Sequence, residues 1–165
     1  MRAADAARLT ALAAIWGASF LFIRIAAPAI GVVATADVRM LIAGAALGIY
    51  YAIIGFDPEW RRRWRHYLLI GILNSAAPFL LYAYSALELS VGLMAVINAT
   101  SPLFGALLAA LIAGERLSAN GLTGLALGIV GVAILSAPQG SAHWLAVGAA
   151  LGAAFCYGLT AAVLR

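Results

Sequence analysis

Two short segments of this chain carry the same helix-bending pattern: Asn74-Ser75-Ala76-Ala77-Pro78 and Asn98-Ala99-Thr100-Ser101-Pro102. Proline has no amide proton, and its ring clashes with the carbonyl four residues earlier. In each segment that carbonyl belongs to the Asn, which loses its helical partner. Freed carbonyls, two carboxamides and the Ser101 hydroxyl are hydrogen-bonding chemistry that holds a polar small molecule. Trp16 and Ser19 project to similar depth, which gives a candidate binding set of Trp16, Ser19, Asn74, Asn98, Ser101 and Pro102. The competing reading is structural: the prolines only kink helices, while Asn and Ser bond across a packed interface, as membrane bundles commonly arrange.

A second group is Arg24, Asp37, Arg39 and Glu88, two charges of each sign set in apolar surroundings. An ionised side chain at the centre of a membrane helix costs roughly 2.5–3.5 kcal/mol on insertion scales. Such groups therefore seek partners and shallow positions. The expected network pairs Arg24 with Asp37 and Arg39 with Glu88. Asp37 and Arg39, two residues apart, point to different faces and do not pair with each other. The network reads either as neutralisation that fixes packing or as an outer gate or a site for carboxylates.

Catalytic and metal chemistry are poorly served. His66 and His143 fall at opposite ends of the expected bundle, and the single cysteine, Cys156, offers neither a disulfide nor a metal cluster. With no deep nucleophile beside a base and no carboxylate pair at mid-depth, no enzyme activity, bound cofactor or metal is expected. Glu115 and Arg116 read as surface charge at a helix end. No phosphate-cradling segment is present for nucleotide use, which leaves a gradient as the expected energy source.

The elements that must position these residues follow from composition. The chain is 65% hydrophobic and only 10% charged, whereas soluble domains carry about a quarter charged residues. About 20 apolar residues cross a bilayer as a helix. Six runs qualify: Leu9 to Ala29, Val33 to Ile54, Tyr67 to Leu87, Val91 to Ala113, Ala119 to Leu135 and Trp144 to Leu164. The runs are continuous rather than alternating, which favours helices over barrel strands. The expected fold is all-α, a polytopic membrane bundle of six transmembrane helices. The first run is too long for the core of a cleaved signal peptide.

Charge placement sets the orientation. All ten basic residues are Arg, and with the N-terminus in the cytoplasm eight of them (Arg2, Arg8, Arg61, Arg62, Arg63, Arg65, Arg116 and Arg165) lie on that side. Short basic loops stay in the cytoplasm, and Trp60, Trp64 and Tyr67 fit the aromatic belt at the membrane surface. The net charge of +4 is therefore an orientation signal in the cytoplasmic, inner membrane, not a nucleic-acid patch. The lipid bilayer is the first partner, and anionic headgroups are attracted to the arginine cluster.

Helix contacts leave a signature in small residues. Gly121, Gly124, Gly128 and Gly131 make a strip in the fifth run that lets a neighbour approach, and Gly44 with Gly48 and Gly148 with Gly152 repeat the small-x-x-x-small spacing. An offset of 141 residues aligns the first run with the sixth, pairing Ala13 with Ala154, Trp16 with Tyr157, Gly17 with Gly158, Ser19 with Thr160 and Arg24 with Arg165. The sixth stands five crossings on from the first, so the two run in opposite directions, the plan of an inverted repeat in secondary transporters.

The chain resembles the EamA-like branch of the drug/metabolite transporter superfamily. The resemblance is carried by IWGASFLFIRIA in the first run, DVRMLIAGAAL in the second, and above all AVINATSPLFGALLAALIAGERLSANGLTGLALGIVGVAIL across the fourth and fifth. It implies half of a ten-helix carrier built from two inverted five-helix repeats, moving amino acids, other metabolites or drugs without a cofactor. Residues 1–143 would be the first repeat and residues 144–165 the first helix of a second. Arg39 matches the family's basic position in its second helix. On that reading the chain is a truncated or split carrier that takes a small-molecule substrate and works with a complementary second repeat or as a homo-oligomer. The arginine bias argues against dual-topology pairing. A non-transporting assembly partner, or the inactive remnant of a transporter gene, is the alternative.

Overall fold

A computed structural model describes residues 3–113, 119–135 and 141–163, which form helices joined by short turns. The elements are α1 (Ala3–Ile30), α2 (Val32–Ile54), α3 (Trp60–Gly71), a π-helical turn (Ile72–Ala76), α4 (Ala77–Ser85), α5 (Val91–Asn98), α6 (Ser101–Ala113), α7 (Ala119–Leu135) and α8 (Ser141–Val163). α3, the π turn and α4 make one continuous rod, and α5 with α6 make one interrupted rod. Among the described residues five rods are long and apolar enough to cross a membrane: Ala4–Ile30, Val32–Ile54, Trp60–Ser85, Val91–Ile112 and His143–Val163. α7, at 17 residues, rises about 25 Å and sits at the lower limit for a span. The chain is a polytopic helical bundle.

α1 and α2 are joined by Gly31 alone, whose φ of +91° and ψ of 158° are costly for any residue with a Cβ. The Gly31 amide donates to Ala27 O, and its carbonyl accepts from both the Thr35 amide and the Thr35 hydroxyl, so the reversal leaves both of its own backbone groups paired. α2 ends conventionally at Gly55 in the left-handed region, with its amide returned to Tyr51 O.

The third rod begins seven residues before the expected start at Tyr67. The arginine cluster is the opening of α3 and not a loop. Three local features explain this. Arg propagates helices well; Arg63 pairs with Glu59 one turn back at 2.8 Å; and the Trp60 and Tyr67 rings stack at 5.5 Å while the Tyr67 hydroxyl donates to Pro58 O. The segment thus combines exposed guanidinium groups with ring contacts on one helical surface.

The hydrophobic core lies where α1, α4, α5 and α8 meet. α1 contributes Phe20, Ile23 and Ala27; α4 contributes Tyr82 and Ala83; α5 contributes Met94 and Ile97; α8 contributes Ala146, Val147, Ala150 and Ala153. The α8 residues recur at helical spacing and are nearly all alanine. Apolar side chains gain nothing by leaving lipid, so close backbone approach over small residues, with its dispersion contacts, is what holds such helices together. Accordingly 39% of the α8 span is buried, against 11% for α1 and α2, whose outer surfaces are apolar and face lipid. The Ser85 hydroxyl fastens α4 to α8 by donating to Ala146 O at 2.8 Å, with Leu81 O of its own helix as an alternative acceptor at 2.7 Å.

The tightest crossing is between α6 and α8. A Cβ added at Gly158 would lie 2.6 Å from Phe104 Cβ and 2.7 Å from the Gly105 amide nitrogen, so only glycine fits there. The glycine strip expected in the fifth run behaves differently. Gly128 faces Leu103, but Gly124 and Gly131 have open space around them, as do Gly44, Gly48 and Gly148.

Candidate functional site

The two Asn-x-x-x-Pro segments interrupt their rods in different ways. Ahead of Pro78 the third rod takes one extra residue per turn, and the Ala77 amide reaches back five residues to Ile72 O. This π turn lets the chain absorb the missing donor without breaking. Ahead of Pro102 the fourth rod stops at Asn98 and restarts at Ser101. Here the Ser101 hydroxyl donates to the freed Asn98 carbonyl at 2.7 Å and the Thr100 hydroxyl donates to Ile97 O at 2.6 Å.

The Tyr82 hydroxyl donates to Asn98 Oδ1 at 3.0 Å, tying the two rods together beside their interruptions. The rods form a helical hairpin through residues 86–90. One turn back from Tyr82 and one turn on from Asn98 therefore brings Pro78 and Pro102 to a common level. Asn74 lies a turn beyond.

Around this level is a cavity of about 730 Å³. Trp16, Ser19, Phe20 and Ile23 line it from α1, and Asn74, Ser75, Phe79 and Tyr82 from the third rod. Asn98, Ala99, Ser101, Pro102, Gly105 and Ala106 line it from the fourth, Arg39 from α2, and Tyr157 and Ala161 from α8. The structure thus brings Trp16, Ser19, Asn74, Asn98, Ser101 and Pro102 to one space. Trp16 and Tyr157, paired by the 141-residue offset, both border it.

Phe79, Tyr82 and Tyr157 were not anticipated. Tyr82 and Tyr157 lie 6.3 Å apart with near-parallel rings, and Phe20 meets Tyr82 edge-on at 5.2 Å. The available signal was helical spacing: Phe79 and Tyr82 stand one and four residues after Pro78, next to the bend and on the following turn.

The expected ion pairs do not form. The Arg24 guanidinium donates instead to the carbonyls of Ala86 and of Leu87, the latter at 3.0 Å. These lie just past the C-terminal end of α4, where carbonyls lack helical partners and the helix dipole is negative. The guanidinium carbon of Arg39 stands 4.1 Å from the centroid of the Phe79 ring. Asp37 and Glu88 are exposed. Ion pairs among the described residues are Asp5–Arg8 and Glu59–Arg63, both exposed. The charges thus serve a helix end and a cavity wall separately.

His143 belongs to the first turn of α8 and is 8% exposed, rather than standing in a loop, and its Nε2 has no partner among the described residues. Cys156 is partly buried within α8. Among the described residues no cluster of His, Cys, Asp or Glu is arranged to hold a metal. Glu115 and Arg116 lie outside the described residues.

Residues 7–137 match the EamA-like transporter family, most of the chain. The chain belongs to the EamA-like transporter family. A curated relative, the "Probable terminal-alkyne amino-acid exporter" of Streptantibioticus cattleyicolor, is 27% identical over 129 residues, 78% of this chain and 43% of that protein. The chain thus spans less than half the length of this relative. No solved structure gives a significant match. Family membership and the apolar rods together make this EamA-like chain a multi-pass membrane protein.

Proposed function

We propose that the chain is one half of a secondary transporter that moves a small organic metabolite, an amino acid or drug among the candidate classes, across the cytoplasmic membrane by alternating access. The observation that carries the reading is the cavity bordered by two interrupted rods. Broken backbone at membrane depth is tolerated where it lines a cavity or is buried in protein, and transporters place their substrate sites at such breaks. Asn98, Ser101, Ser19 and Trp16 supply the polar and aromatic contacts, and Asn74 and Pro102 shape the space. Residues 1–143 act as the first five-helix repeat and residues 144–165 as the opening helix of a second. The N-terminus and the arginine-rich start of α3 face the cytoplasm, as the positive-inside rule requires.

Reconstitution into proteoliposomes, with and without a complementary second repeat, tests this. The expected result is flux of labelled amino acids down an imposed gradient when both repeats are present, reduced at least tenfold by Asn98→Ala. Absence of flux in both preparations across a panel of amino acids and amphipathic drugs would leave the alternative, a non-transporting assembly partner or remnant. A cysteine placed at Asp57 should react with an impermeant maleimide only after the cells are opened. Labelling of intact spheroplasts would reverse the orientation.

A further inference from the structure

We infer that Arg39 is the ligand-recognition residue of the cavity and selects small monocarboxylates with an aromatic or otherwise apolar body; this rests on the cavity being the substrate site.

Arg39 stands without a counter-charge among the described residues. It borders the cavity, is half-buried, and has no ion pair or hydrogen bond among the described residues. Arg24, the other arginine at membrane depth, spends its donors on two backbone carbonyls. Among the described residues Arg39 stands over the Phe79 ring, 4.1 Å from its centroid, and lies close enough to Tyr157 to interact with it electrostatically. A ring attracts the cation through its quadrupole but takes up none of the guanidinium's strong hydrogen-bonding capacity, so the five N–H donors remain available.

Among the described residues the cavity wall contains no Asp or Glu; its remaining polar groups are neutral hydroxyls, carboxamides and the Trp16 indole. The described lining therefore carries one fixed positive charge in a low-dielectric setting, where a fork of N–H donors favours a carboxylate bound through two parallel bonds. An ammonium group finds no anionic partner there. Within the same cavity Phe79, Tyr82, Tyr157 and Trp16 present ring surfaces that suit a flat apolar body. The combination favours a net anion over its neutral or cationic counterpart of equal shape.

Four probes with one body and different heads test this on the purified chain in lipid nanodiscs: 3-phenylpropionate, 3-phenylpropionamide, phenylalanine and phenethylammonium. Binding of labelled 3-phenylpropionate is followed by equilibrium dialysis, with the other three as competitors. The carboxylate should bind at least tenfold more tightly than the amide, with phenethylammonium weakest. Arg39→Gln should abolish the preference, Arg39→Lys should retain part of it, and Arg65→Gln, remote from the cavity, should leave it intact. Equal affinity of carboxylate and amide for the unaltered chain overturns the inference alone, and that comparison stands even where Arg39→Gln fails to fold. A preference that survives in folded Arg39→Gln overturns it as well. Failure of all four probes to bind would remove the cavity reading and this inference together.

Discussion

The third and fourth rods contain the same Asn-x-x-x-Pro spacing, yet one bulges and the other breaks. The difference lies in the residues between. In the fourth rod Thr100 and Ser101 stand two and three residues after Asn98, and their hydroxyls satisfy the carbonyls of Ile97 and Asn98, so a full interruption leaves these acceptors paired. In the third rod those positions are Ala76 and Ala77, whose side chains have nothing to donate, and the helix keeps its own backbone bonds by widening into a π turn. Proline marks where a membrane helix is weakened; the neighbouring hydroxyls decide whether it opens.

The two rods also differ in how their second halves meet α8, and the largest effect should appear there. A Cβ at Gly158 collides with the backbone of α6, whereas one at Gly152 meets only the tip of Leu81 at 3.4 Å. Gly158→Ala is therefore expected to destabilise the bundle by about 1–3 kcal/mol or more, and Gly152→Ala by less than about 1 kcal/mol. Reversible unfolding by SDS in mixed micelles reads both. Equal losses would mean that the halves are held alike.

A smaller effect tests the cause of the break. Removing both hydroxyls with Thr100→Ala and Ser101→Ala leaves the Asn98 carbonyl unpaired, at about 1–3 kcal/mol if it stays buried, while Ile97 O keeps the Thr100 amide. Ser75→Ala, in the bulged rod, should change stability by less than about 0.5 kcal/mol, because no carbonyl depends on it. If the double variant proves as stable as Ser75→Ala, the hydroxyls are not what permits the interruption. Tyr82→Phe should cost the least of the cross-links, about 1 kcal/mol, by deleting the bond to Asn98. An unchanged unfolding midpoint for Tyr82→Phe would show that the rods do not depend on that bond.

Much of this was legible from sequence because membrane spans follow from length and apolarity, and the helix starts missed were short-range matters. At the opening of α3, Arg61, Arg62 and Arg63 signal a membrane boundary and suggest a loop. A boundary does not stop a helix that has its own ring stacking and an i,i+4 pair. The co-location of Asn74, Asn98, Trp16 and Ser19 was readable because proline spacing and helical rise fix depth. The Arg24 and Arg39 partners were not. Charge arithmetic suggests carboxylates as partners, but unpaired backbone carbonyls and aromatic faces attract guanidinium groups too, and only the packing reveals which lies within reach. The Gly105–Gly158 crossing was equally hidden among 17 glycines, since spacing alone does not say which face meets a neighbour.

The placement of α8 between rods that precede it has a consequence for biogenesis. The α4 and α6 surfaces that it joins emerge from the ribosome first, so for a time they stand in the bilayer with a slot between them that lipid must fill. The late arrival has to displace that lipid, and its alanine and glycine edge is narrow enough to slide in without forcing the earlier rods apart.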